Sequence, residues 1–173
     1  MIEYVEKGGD LHDRINAAGH WLEQNCDAKG ALTWRSSDDK AVQAIIDAYT
    51  VADAVAHKVR EVAHLAKDVQ DRFIARLGYS VGEMSTWPIK SAELVAYAKT
   101  GLEADAPRLV AEAKLSGRPL ENVVQRVQAN AAAYAAFADA AAATRGKHTD
   151  ALRSLPTFEA VAAYDITTGW PEA

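Results

Sequence analysis

The sequence predicts a mainly α protein: a long-helix hairpin or bundle with a small N-terminal strand-helix-strand unit. Three observations carry this. Apolar residues recur at three-four spacing through two long stretches, Asp38 to Leu77 and Pro119 to Leu155, the signature of helices with one buried stripe. Between them a Gly, a Trp and a Pro fall close together, at Gly82, Trp87 and Pro88, where a uniform helix would have none, so residues 80–101 read as a hinge. Strand-like alternation is confined to the first forty residues. The predicted organisation is therefore an α+β module over 1–37 and an elongated helical bundle over 38–173.

Taken in order, Ile2 to Glu6 alternates apolar and charged residues and stops at Gly8-Gly9, a strand and a turn. Asp10 then offers a cap for a helix whose stripe is Leu11, Ile15, Ala18 and Leu22, with Trp21 beside it, ending near Asn25. Lys29-Gly30 marks a turn, and Ala31 to Arg35 suits a second strand. Ser36, Ser37, Asp38 and Asp39 supply side-chain oxygens for the free amides of a helix start. One helix is expected from there to Gly78, with Val42, Ile45, Tyr49, Ala52, Ala56, Val59, Ala63, Ala66 and Phe73 in line, about 60 Å long at ~1.5 Å per residue. A rod of that length needs a partner along it.

Ser80 caps a short helix toward Trp87, and Leu94 and Tyr97 carry the stripe on to Thr100-Gly101. Pro88 either kinks one helix there or separates two. Asp105-Ala106-Pro107 opens a helix ending at Ser116-Gly117, with the proline early, where its missing amide costs nothing. Leu120, Val124, Val127, Ala131, Tyr134, Ala138, Ala141, His148, Leu152 and Leu155 form the second long stripe, weakened at Gly146 and closed by Pro156. Thr157 caps a last helix to Tyr164, and Asp165 to Pro171 leaves as an irregular tail. The stripes predict antiparallel packing of the two long helices, with residual apolar surface available for a homo-oligomer.

Composition narrows the chemistry. A formal charge of -5 disfavours the phosphate-neutralising surface that nucleic-acid binding requires. Cys26 is the single cysteine, which excludes an intrachain disulfide and a thiolate zinc site. No apolar run approaches the roughly 20 residues that span a bilayer, and the acidic start lacks the features of a signal peptide, so no membrane partner is expected. His57, Glu61, His64 and Asp68 share one side of the first long helix, and Glu61 to His64 has the Glu-x-x-His form of di-metal bundles. Such a site needs a second Glu-x-x-His, and no other Glu precedes a His by three. His12, His20 and His148 read as core or interface histidines. No catalytic residue, metal ligand or cofactor is assigned, and the chain is not expected to be an enzyme.

Four groups of residues carry a resemblance. They are Val5-Glu6-Lys7-Gly8 with Leu11-His12 and Ala17-Ala18-Gly19-His20-Trp21; Trp34 to Asp39 with Ala41-Val42-Gln43; Gly82-Glu83-Met84 with Trp87-Pro88-Ile89-Lys90 and Ala92-Glu93; and Phe158-Glu159-Ala160-Val161 with Tyr164-Asp165 and Gly169-Trp170-Pro171. With these, the chain resembles small tail proteins of tailed bacteriophages and prophages, often encoded beside tail-fibre genes. Val81 departs from the proline expected there. The resemblance implies a tail-fibre-associated protein whose partner is the phage tail fibre protein. It would act as an assembly chaperone in the host cytoplasm or, alternatively, as a minor structural component of the virion tail. Trp87 reads first as a buried anchor of the hinge helix on the long helices, with the partner surface as its alternative, and Ile166 and Trp170 read equally as a docking element or as a tail folded back on its own bundle; these three are the candidate partner-binding residues, since indoles are enriched among residues that dominate binding energy.

Overall fold

The computed structural model describes residue 2 and residues 7–26 and 32–172. It is mainly α, with eight α-helices and one two-stranded antiparallel sheet among the described residues. Chain order is α1 (Leu11–Ala17), β1 (Leu22–Cys26), β2 (Leu32–Ser36), α2 (Asp39–Ala48), α3 (Val51–Arg76), α4 (Val81–Met84), α5 (Trp87–Thr100), α6 (Pro107–Ser116), α7 (Leu120–Arg153) and α8 (Phe158–Ala163). A 3-10 turn, Glu103–Asp105, precedes α6. The chain forms two compact units: unit 1 is 1–64 with 145–168, and unit 2 is 65–144 with 169–173. Both long helices, α3 and α7, contribute a segment to each.

In unit 1 the expected strand at Ile2 to Glu6 lies mostly outside the described residues, as does the turn at Lys29-Gly30. The expectation that one helix runs to Asn25 is corrected. Gly19, at φ 82, takes the left-handed conformation that ends the helix, and Leu22–Cys26 is a strand paired with Leu32–Ser36. Glu23 stands opposite Arg35 in that register, a favourable cross-strand pair. The residues allow helix or strand locally; their partner, ten residues on, decides.

The single long helix expected from Asp38 is also interrupted. Asp38 caps α2 as predicted, accepting from the amides of Lys40 and Ala41, but α2 ends at Tyr49, which is extended at φ -73, ψ 123. The chain restarts at Thr50, whose amide and hydroxyl donate to the Asp53 carboxylate at 2.9 and 2.6 Å. The break shifts the buried face. Val42, Ile46 and Tyr49 are buried before it, and Ala54, Val62, Ala66, Val69 and Phe73 after it, whereas Ala52, Ala56 and Ala63 of the expected stripe face solvent.

Unit 2 holds two apolar clusters. Val69, Phe73, Phe137 and Ala141 form one, with the Phe73 and Phe137 rings stacked 4.0 Å apart and Tyr134 and Leu77 packed around them. Asn130 donates to the Tyr79 hydroxyl at 3.2 Å. Residue 79 thus meets 130 while 73 meets 137, so α3 and α7 run antiparallel here, as the matching stripes predicted. Ala106, Leu109, Ala113, Val123 and Val127 form the second cluster, between α6 and the start of α7.

The open question at Pro88 is resolved: α4 and α5 are separate helices, and Pro88 occupies the first turn of α5, where it removes no internal bond. Ser80 caps α4 in a full capping box with Glu83. The cap expected from Asp105 is corrected. That carboxylate accepts from the Thr100 hydroxyl at 2.6 Å, and α6 is capped instead by Glu93.

Candidate functional site

α5 carries Trp87-Pro88-Ile89-Lys90 with Ala92-Glu93, part of one of the four groups on which the resemblance rests, and its two sides differ. Its inward side is committed to the fold. The Trp87 ring stands edge-on to Tyr79 at 5.2 Å and to Tyr134 at 5.5 Å. Lys90 pairs with Glu112 at 2.7 Å, and Arg126 pairs with the other oxygen of the same carboxylate. Glu93 is buried, accepting from the amides of Arg108 at 3.0 Å and Leu109 at 3.1 Å, so a carboxylate from one helix closes the positive end of the next. The outward side carries Pro88, Ala92, Val95 and Lys99 along one line, with Ile89 on its flank. Val95 is 57% exposed and Ile89 44%. A surface helix ordinarily turns a polar stripe to water; here the first charge on the outward line is Lys99.

The other two candidate residues lie in the C-terminal tail, which has no regular structure but is anchored. His148, buried on α7, contacts the Thr168 carbonyl through Nε2 at 2.9 Å and the Tyr164 hydroxyl through Nδ1 at 3.0 Å. A carbonyl only accepts, so Nε2 carries the proton and, in the neutral ring, Nδ1 accepts from Tyr164. The Thr167 hydroxyl and amide fold onto the Asp165 carboxylate and hold it below its usual pKa. Ile166 is half-buried. In unit 2, the Thr144 hydroxyl donates to the Gly169 carbonyl at 3.0 Å, and Trp170 packs against the Phe73 and Phe137 cluster. The indole thus has an intramolecular seat.

The titratable cluster singled out on the first long helix is only partly assembled. His57 lies 3.3 Å from Glu61, while His64 and Asp68 face solvent. Among the described residues no group of three or more His, Cys, Asp or Glu side chains is arranged to hold a metal ion. The group that does converge was missed. Asp10, read as a helix cap, makes no cap bond and is buried; it accepts from the Tyr49 hydroxyl and, at 2.8 Å, from Arg60, with Arg14 at 3.4 Å and His57 at 3.9 Å. Burial alone would raise this carboxyl; the Tyr49 hydroxyl and the cations outweigh that and hold it below its usual value. Burial, then the hydrogen bond to Asp10, then the Asp10 charge push the Tyr49 hydroxyl upward. Arg14 also reaches Asp53 at 2.9 Å, and Asp53, held chiefly by the Thr50 hydroxyl and then the Thr50 amide, is lowered to about 2.

A cavity of about 170 Å³ opens beside this network, lined by Lys7, Gly8, Gly9, His57, Lys58 and Phe158 among others. Its cations are already engaged. Lys7 donates to the Ile46 carbonyl at 2.8 Å and lies over the Phe158 ring, and Lys58 pairs with Glu61 at 3.2 Å. A Cβ on Gly8 would fall 2.4 Å from the Tyr49 hydroxyl oxygen, so the loop sits directly on the network. Cys26 is exposed on β1, and no helix among the described residues is long and apolar enough to cross a membrane. No protein-family model matches the chain, and no curated protein or solved structure matches it.

Proposed function

We propose that this chain is a bacteriophage or prophage tail-fibre-associated protein that works by binding other proteins, in the assembly of the fibre, with the outward side of α5 as its contact surface. One observation carries the reading. In the signature Trp87-Pro88-Ile89-Lys90 with Ala92-Glu93, the residues Trp87, Lys90 and Glu93 are occupied within the fold, while Pro88, Ile89 and Ala92 line an apolar surface continued by Val95. Exposed apolar faces rimmed by polar residues mark protein-protein contacts, and a helix face is a common unit of recognition. Trp87 supports that face from behind. Ile166 and Trp170 fix the tail in the same supporting sense.

The test is co-expression with a tail-fibre protein from the same genome, scoring fibre solubility and co-purification for the parent chain and for Val95→Glu. The expected result is that the parent raises soluble fibre and co-purifies with it, and that Val95→Glu does neither while its melting temperature is unchanged. Fibre that is equally soluble without the chain, and never co-purifies with it, overturns the proposal. Quantifying the chain in purified virions separates the two roles. A chaperone is absent or substoichiometric; a tail subunit is present in fixed ratio.

A further inference from the structure

We draw no further inference here: the strongest candidate, the exposed face of α7 along which Ala129, Ala133, Ala136, Ala140 and Ala143 recur at helical spacing, is a stripe of small residues, and nothing in the structure shows what covers it.

Discussion

Asp10 in unit 1 and Glu93 in unit 2 are both buried carboxylates, each 8% exposed, and they are satisfied in opposite ways. Asp10 collects side chains: a hydroxyl from Tyr49 and guanidinium groups from Arg14 and Arg60. Glu93 collects backbone: the amides of Arg108 and Leu109 at the start of α6. Donors of the first kind disappear by substitution, whereas an amide persists whatever the side chain. Unit 1 is therefore built around an arrangement that depends on several identities at once. Unit 2 depends at this point on one residue, with its apolar clusters supplying the rest.

The largest effect expected from this contrast is at Asp10. Asp10→Ala leaves the buried Tyr49 hydroxyl without an acceptor and Arg60 without its anion, while Arg14 keeps Asp53; an unsatisfied buried donor with the loss of a half-exposed ion pair costs about 2 to 3 kcal/mol. Chemical denaturation should show that loss, with the amides of α1 and α2 losing hydrogen-exchange protection before those around Phe73 and Phe137. Equal loss in both units would mean that Asp10 does not organise unit 1 separately. Acid tests the same residue without mutation. Asp10 and Asp53 are both held below their unfolded pKa values. The stability they contribute is therefore complete above a pH of about 4 and is lost as pH falls through the folded values, which for Asp53 is about 2. Exchange measured down that range should open unit 1 first.

At Glu93 the expected cost is smaller. Glu93→Ala uncaps α6 and should cost about 1 to 2 kcal/mol, the range for losing a helix cap. Glu93→Gln keeps an acceptor oxygen and should recover more than half of it, read from paired melting curves. If Gln is as damaging as Ala, charge rather than hydrogen bonding is what α6 requires. The smallest effect is Tyr49→Phe, which removes one donor from Asp10 while leaving both guanidiniums in place, at about 1 kcal/mol. Nearly additive loss on combining it with Asp10→Ala would show that the two residues do not act as one network.

Much of the helical skeleton was legible because its punctuation is local. Asp38, Ser80 and Thr157 accept from amides within three residues, and Gly78, Gly101 and Gly117 end helices with positive φ. What escaped was non-local. Leu22 to Cys26 becomes a strand because of residues 32–36, and Asp10 and Glu93 take partners 39 or 50 and 15 or 16 residues away. The break after α2 is an intermediate case. Thr50-Val51-Ala52-Asp53 has the spacing of a capping box and could have signalled a helix start, but it lies within an apolar rhythm strong enough to hide it. At the candidate site, the α5 signature was visible; which of its residues faced outward depended on where α6 and α7 packed.

The break at Tyr49 and Thr50 also determines how the protein tolerates drift. Neither glycine nor proline enforces it; a ring seated on Asp10 and a carboxylate folded onto Thr50 do. Losing those side chains one at a time would not remove helix-forming residues from the chain, since alanine in their place favours helix. The failure would be a straightened segment with its helicity intact and its buried stripe out of phase. A lineage that lost the break would keep much of the circular dichroism of its ancestor while losing the seat of Tyr49 on Asp10, so the change would show in the stability of unit 1 rather than in helix content.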